Sequence, residues 1–271
     1  MTEKTVTVNT PLAKTFGWLH VNGTHLPVAE SAPEKRLGIG SGEEKTLVLN
    51  EAIRLKAELE DNAVFRLIQV RYAEEESRAV NDIQVTCGKD AVFEWYRVIL
   101  GGRATYDNCS VTLAGAGSRF EANIGYRLEG EELMDMNCEA IHTGKKTESL
   151  IRASGVLFDR ASKLLRGTID LRRGCAGAVG NETEDVLLID DTVRNRSVPV
   201  ILCSEEDVVG NHGASIGRLD EDLLFYLQSR GIDSEAATEL MAKARVDAII
   251  RRIPDGQLRA SLLKEDCHEL E

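Results

Sequence analysis

His212 is the residue of this sequence whose side chain is the clearest candidate for chemistry. It lies between Asn211 and Gly213, where little side-chain bulk covers it. Acidic residues at 205–207 precede it. A neutral imidazole is the commonest metal ligand among side chains and also serves as an acid or base. The plain alternative is a loop histidine that bonds only to a backbone carbonyl. Local spacing makes His212 a candidate for metal binding or acid–base chemistry and leaves the structural role open.

Six cysteines are the other candidate metal ligands, and they are scattered along the chain as Cys87, Cys109, Cys138, Cys175, Cys203 and Cys267. They form no C-x-x-C pair and no zinc-ribbon spacing. In a reducing compartment we expect free thiols rather than disulfides. A free cysteine often packs as a small hydrophobic side chain, so core packing is the simplest expectation for most of the six.

Two further residue pairs have side chains suited to metal binding or to carbohydrate cleavage, but their spacing along the chain is unfavourable. Cys138 and His142 lie four residues apart on one predicted strand face, which separates them by about 13 Å. The acidic pair Asp190 and Asp191 would suit a carbohydrate-cleaving enzyme, but neighbours on a strand point to opposite faces. A turn is therefore the favoured interpretation of that pair. The sequence contains no Ser-His-Asp, Walker or H-E-x-x-H pattern.

The elements that must position these side chains are short strands, because apolar and polar residues alternate from about residue 45 to 203. One predicted strand face carries Phe120, Ala122, Ile124, Tyr126 and Leu128. Such alternation fits a sandwich, a barrel or a parallel β-helix. The strands are many and short, two-residue hairpin turns are lacking, and aromatics make up only 5% of residues. These features favour the parallel β-helix.

The pattern changes after Pro199. Residues 210–217 have small side chains and are predicted to be a tight, flexible segment. A helix is predicted at 220–231, ending at Gly231, and a second helix begins at Asp233 or Ser234 and ends before Pro254. A third helix is predicted at 255–263. The expected organisation is an irregular or edge segment at 1–40, an all-β core at 41–210 and a helical appendix at 211–271.

Composition excludes several classes of function. The chain has 271 residues with 33 basic and 45 acidic side chains, and its net charge of −12 argues against a nucleic-acid binder. No apolar run approaches the roughly 20 residues that cross a bilayer. Residues 1–6 lack the apolar core of a secretory signal. We therefore expect no membrane partner and a cytoplasmic location.

From about residue 148 onward the sequence resembles the SufB/SufD family of iron–sulfur cluster assembly proteins. The resemblance is densest in HGASIGRLD at 212–220, and it includes LFYL at 224–227 and RGI at 230–232. It extends to GVLFD at 155–159, RGTI at 166–169 and DVLLI at 185–189, and upstream to HTGKKTES at 142–149.

This resemblance implies a right-handed parallel β-helix with C-terminal helices that dock an ABC-type, SufC-like ATPase. It implies a non-enzymatic scaffold that pairs with a second SufB/SufD-type subunit, or with its own copy, and binds no nucleotide itself. Two departures from cluster-building members are clear: Glu184 stands where they carry a cysteine, and Gly213 follows His212 where they carry a glutamate. The His-Gly pair is similar to the SufD type. The chain is also shorter than typical members, which predicts a minimal member lacking their N-terminal helical region.

The resemblance centres the expected metal site on His212, with Glu184 substituting by position. Cys175 and Cys203 are added as candidate ligands because they lie near it in sequence, although core packing explains them equally well. The bound species would be a transient iron–sulfur cluster, with the 4Fe–4S type as one option. The candidates for ATPase docking lie on the first helix: Leu223, Leu224, Phe225, Tyr226 and Arg230. Their structural alternative is a cap on the end of the solenoid.

Two other functions compete with the scaffold. The first is a purely structural partner subunit that binds no metal. The second is a carbohydrate-active β-helix enzyme using carboxylates such as the 190–191 pair.

Overall fold

The chain folds into a parallel β-solenoid with helices on one flank. The computed structural model describes residues 5–15, 17–27, 34–72 and 77–265. These residues form a 3-10 turn at Gly17–Leu19 and three helices: α1 (Glu221–Ser229), α2 (Ser234–Ile250) and α3 (Gly256–Glu265). The strands are β1 Thr5–Val8, β2 Thr24–Pro27, β3 Glu34–Ile39, β4 Glu44–Leu49, β5 Arg54–Leu59, β6 Val64–Arg71, β7 Arg78–Cys87, β8 Val92–Leu100, β9 Ala104–Leu113, β10 Arg119–Leu128, β11 Leu133–His142, β12 Glu148–Leu157, β13 Ser162–Leu171, β14 Ala178–Leu188, β15 Arg194–Cys203 and β16 Val208–Arg218.

Two seven-stranded parallel sheets form the walls of the solenoid. The odd sheet has the order β15-β13-β11-β9-β7-β5-β3, and the even sheet has the order β16-β14-β12-β10-β8-β6-β4. The chain crosses from one sheet to the other at every corner and makes about six turns. The predicted right-handed parallel β-helix with a helical appendix is confirmed. The sandwich and barrel alternatives are wrong, since they are built from antiparallel strands.

The interior is filled by ladders of alternating side chains, as the period of two predicts. Phe65, Phe93 and Phe120 occupy one ladder and stack with ring centroids 5.4 and 5.5 Å apart. Cys109 and Cys138 are register partners in the opposite wall. Like Cys87, they are buried free thiols, and burial raises the pKa of Cys87 to about 12. The packing prediction holds for these three cysteines, while Cys267 lies outside the described residues.

The N-terminal residues cover the outer face of the odd sheet. β1 and β2 form an antiparallel hairpin, and the segment between them bonds to the sheet. Asn9 Nδ2 donates to Asp135 Oδ1 at 2.8 Å, the Leu12 amide donates to Glu139, and Arg166 donates to the Val21 carbonyl. The alternation of β13 turns Arg166 outward, yet it is only 1% exposed, because this N-terminal cover and the Asp135 carboxylate enclose it.

The helices pack on the flank of the even sheet. Val246 and Ile249 of α2 join a cluster with outward residues of the sheet, including Ile68 and Val98. A Cβ at Gly125 would lie 3.1 Å from Ile249, so the glycine lets the helix approach the sheet. The predicted helix starts are confirmed: the caps are Asp220 for α1 and Asp233 for α2.

The predicted boundary between core and appendix needs one correction. Residues 210–217 are not a flexible segment but part of β16, which pairs with β14 along its whole length. The backbone ladder, rather than bulky side chains, holds this glycine-rich strand in place. The solenoid coils therefore run from Glu34 to Arg218, beyond both ends of the expected 41–210 range.

Candidate functional site

The last coil leaves one end of the solenoid open. Within the described residues, β15 pairs only with β13 and β16 only with β14, so each has one edge without a strand partner. Side chains are exposed along β16 from Val209 to Arg218. A long, unpaired strand edge offers free backbone donors and acceptors to another chain.

His212 lies on β16 at this open end. Its register partner on β14 is Glu182, so the imidazole belongs to the ladder that faces the interior of the solenoid. His212 is exposed because no strand lies above it, whereas Glu182 is only 5% exposed. The structure therefore places the predicted histidine at the mouth of the interior, above a buried carboxylate.

Glu184, the second predicted ligand, points into the interior and is already engaged. Lys163 Nζ donates to its carboxylate and, at 3.0 Å, to Ser197 Oγ of the last coil. Both ends of the ion pair are buried. Burial lowers the pKa of Lys163, and the charge of Glu184 opposes part of that shift. A metal ion at Glu184 would compete with Lys163 for this carboxylate.

Two polar atoms beside this ion pair have no hydrogen-bond partner. They are Glu182 Oε2 and the hydroxyl of Tyr126. A Cβ at Gly167 would lie 2.1 Å from Glu182 Oε1, so that carboxylate fills the space the glycine leaves. Burial, and then the charge of Glu184, raises the pKa of Glu182 to about 7. Burial also raises the pKa of Tyr126, with the Glu184 charge as the next cause.

Cys175 and Cys203 form a separate pair at a corner of the solenoid. Cys175 is buried among Ile169, Leu171 and Ala178. Its pKa is raised by burial first and then by nearby charges that include Cys203. The packing expectation is wrong for Cys203, which is exposed at the end of β15 and whose Sγ donates to the Glu205 carbonyl at 3.1 Å.

The predicted ligands therefore occupy two places: His212 and Glu184 near the mouth, and the two cysteines at the corner. In the part of the chain that the structure describes, no three histidine, cysteine or acidic side chains are grouped to hold a metal ion. A metal centre built on these residues needs either movement within the chain or donors from a second subunit.

His142 is a buried histidine with a structural environment. Its ring nitrogens lie 2.8 Å from Thr147 Oγ1 and 2.8 Å from Ser149 Oγ. A neutral imidazole has one donor and one acceptor nitrogen, so the two hydroxyls satisfy both. Burial lowers the pKa of His142 to about 4.

This environment predicts a pH dependence of stability. The unfolded chain binds a proton at His142 with a pKa of 6.5, the folded chain only near 4, so acid favours unfolding. We expect this difference in the pKa of His142 to lower the unfolding free energy by up to about 3 kcal/mol as the pH falls from 6.5 to 4. Urea unfolding at several pH values measures it. The variant His142→Gln should show a shallower decline than the wild type from pH 6.5 to 5; parallel curves would contradict the assignment.

The predicted docking side chains of α1 are displayed to solvent. No residue of α1 is buried, and Phe225 and Tyr226 are 73% and 52% exposed. Leu223 is exposed, Leu224 is half-buried, and the Arg230 guanidinium lies 5.2 Å from the centre of the Tyr226 ring. Because α1 leaves the open end of the solenoid uncovered, the cap interpretation is wrong for this helix.

The acidic pair at 190–191 lies in a turn, as the spacing favours. Asp190 accepts a hydrogen bond from the Asp159 amide, and Asp191 pairs with Arg218. Both carboxylates of the turn that the spacing predicts thus have partners.

Sequence reasoning missed Lys163, Glu182 and Tyr126 as a group. The period of two already places Tyr126 inside, and the same alternation extends from Leu165 back to Lys163. Glu182 was hidden by the continuous apolar run at 186–189, which obscures the inward alternation of β14. Extending the period of two along β10, β13 and β14 places all three side chains at inward positions.

Within the described residues, no helix is both long and apolar enough to cross a membrane.

Comparison with known proteins gives consistent matches. The family model for the SUF system FeS cluster assembly, SufBD core domain, matches residues 36–245. The iron–sulfur cluster assembly protein SufD of Bacillus subtilis is 29% identical over 65% of this chain and 40% of its own length. SufB of the same organism is 26% identical over 63% of this chain and 37% of its own. A chloroplastic SufBD family protein of Arabidopsis thaliana is 29% identical over 62% and 30%, respectively. The chain thus spans about two fifths or less of these relatives.

Proposed function

The chain belongs to the SufBD family of iron–sulfur cluster assembly proteins, and from this premise we propose that it is a scaffold subunit of a SUF-type assembly complex. In this role it works with an ABC-type ATPase to assemble or transfer a nascent iron–sulfur cluster, which is its cargo. The role is non-enzymatic, and the chain binds no nucleotide itself. We also propose a cytoplasmic location, where thiols such as the exposed Cys203 stay reduced.

The observation that carries this proposal is the open end of the solenoid with His212 at its mouth. The unpaired edges of β15 and β16 fit a second SufBD-type subunit or a second copy of this chain. Such a partner brings further donors to His212, which the single chain needs because no three donors are grouped in its described residues. Imidazole and thiolate are suitable cluster ligands. In this arrangement His212 is the primary ligand, while Glu184, Cys175 and Cys203 are secondary candidates.

The exposed face of α1 supports the ATPase as partner. Aromatic side chains are enriched at the energetic centres of protein interfaces, and Phe225 and Tyr226 are large, exposed and unburied by their own chain. The neighbouring α2 is fixed to the solenoid, so α1 is held on a rigid body.

Co-purification tests the ATPase partnership. When the chain is co-expressed with the ABC-type ATPase of the same genome, we expect both to elute together. The double variant Phe225→Ala/Tyr226→Ala should retain at least about tenfold less ATPase, since interface hot spots each contribute that much or more. The variant should fold normally because neither side chain is buried.

The matched control is Val80→Ala, which trims an exposed apolar side chain on the odd sheet. It should retain the ATPase at the wild-type level. Equal retention by the double variant and the control would refute docking through α1.

A purely structural partner subunit is the second candidate. It is favoured by the lack of three grouped metal donors among the described residues and by the Lys163 ion pair that occupies Glu184. It shares the α1 docking surface and differs in carrying no cluster.

A further inference from the structure

We propose that the interior below His212 is a binding site for one divalent cation, held by the carboxylates of Glu182 and Glu184 and regulated by Lys163. The site lies inside a single solenoid, and it shares only Glu184 with the ligand candidates of a cluster held between subunits. That the physiological ion is ferrous iron rests on the proposed function; the site itself does not.

The first support is that two buried oxygen atoms in this part of the interior lack hydrogen-bond partners. Glu182 Oε2 and the Tyr126 hydroxyl have no hydrogen-bond partner, although Glu182 is 5% exposed and Tyr126 is fully buried. The Tyr126 ring crosses the space beside Gly155, where a Cβ would lie 2.3 Å from it, and so leans toward the coil of Glu184. A buried polar atom without a partner is costly, and a bound cation beside Glu182 would satisfy its free oxygen.

The charge of the pocket selects the class of ligand. Two carboxylates face one ammonium, so an anion is repelled. Carboxylate and phenol oxygens suit hard divalent cations such as Mn²⁺ and Fe²⁺. Two carboxylates supply fewer than three donors, and water completes the set.

Lys163 gives the site a built-in competitor. Its ammonium bonds to Glu184 and Ser197, where it neutralises the carboxylate that the cation needs. A cation that binds both glutamates displaces this ammonium from Glu184 and Ser197 toward the open end. Weakening the hold on Lys163 should therefore strengthen cation binding.

The last coil provides access. Ala214 is the register partner of Glu184, and Gly210 is that of Gly180, so the ladder above the pocket carries small side chains on either side of His212. The strand itself is exposed. An ion entering from the open end meets His212 first and the two carboxylates next.

Titration of the isolated, anaerobic chain with Mn²⁺ alone, followed by the loss of the free-ion EPR signal, tests the proposal. We expect the wild type to bind one Mn²⁺. Glu182→Gln should weaken this binding by at least about tenfold, the lower range for disrupting a metal site. The matched control Glu131→Gln changes an exposed glutamate paired with Arg160 and should bind like the wild type.

Ser197→Ala keeps both carboxylates and removes only one partner of the ammonium, so it tests the competition even if Glu182→Gln fails to fold. It should bind Mn²⁺ more tightly than the wild type, by about threefold or more. Absence of wild-type binding, equal affinity of Glu182→Gln and Glu131→Gln, or unchanged or weaker binding by Ser197→Ala would each overturn the proposal.

The outcomes separate this inference from the proposed function. Mn²⁺ binding is measured without the ATPase and without sulfide. If the chain binds the ATPase and no Mn²⁺, only the interior cation site is contradicted. If it binds Mn²⁺ and no ATPase, only the proposed partnership with the ATPase is contradicted.

Discussion

Replacing Arg97 by methionine is expected to lower the unfolding free energy by about 3–5 kcal/mol, the cost of leaving a buried charge without its partner. Arg97 Nε donates to Asp107 Oδ2 at 2.7 Å inside the solenoid, and both side chains are fully enclosed. Asn81 Nδ2 donates to the other carboxylate oxygen of Asp107 at 2.7 Å. Trp95 and Gln69 extend the same network.

The physical reason for so large an effect is desolvation. With Arg97 gone, the Asp107 carboxylate stays in a water-poor interior without the guanidinium that bonds to it. Urea unfolding measures the loss. The double variant Arg97→Met/Asp107→Leu removes both charges and should recover most of the stability, because an apolar pair of similar volume often equals a buried ion pair. A double variant no more stable than the single one would show that packing, not charge, is responsible.

Much of the fold follows from local patterns. The period of two fixes which side chains of β10 and β11 face inward, and residues from Phe120 to His142 follow it. Helix caps at Asp220 and Asp233 and the stop at Gly231, with φ of +86°, are equally local signals. The motifs from 142 to 232 predicted the SufB/SufD family, and the matches to the SufBD core domain and to SufD confirm it.

Contacts between distant segments could not be predicted in this way. Arg166 looks like an outward-facing strand residue, yet it is buried against Val21, which lies 145 positions earlier in the chain. Residues 210–217 look flexible because glycine lowers strand propensity, yet pairing with β14 overrides that local preference.

The candidate site likewise combines features that the local sequence predicts with features that depend on contacts between distant segments. His212 is exposed, as its small neighbours predicted, but the physical reason is that β16 is the last described strand of its sheet. The inward direction of Glu184 and its pairing with Lys163 depend on the register between β13, β14 and the last coil. The position matched to a family ligand is thus the buried ion-pair partner of Lys163.

The central claim is that His212 at the open end holds the nascent cluster, and anaerobic reconstitution of the chain–ATPase complex with ferrous iron and sulfide tests it most directly. We expect the wild type to gain the visible absorbance of an iron–sulfur cluster together with acid-labile sulfide. His212→Ala should retain at least about tenfold less of both, because it removes the primary ligand. The control His25→Ala alters an exposed histidine that bonds to Thr7 and should match the wild type. A wild-type complex that gains no cluster, or a His212→Ala complex that gains as much as the wild type, would contradict the claim.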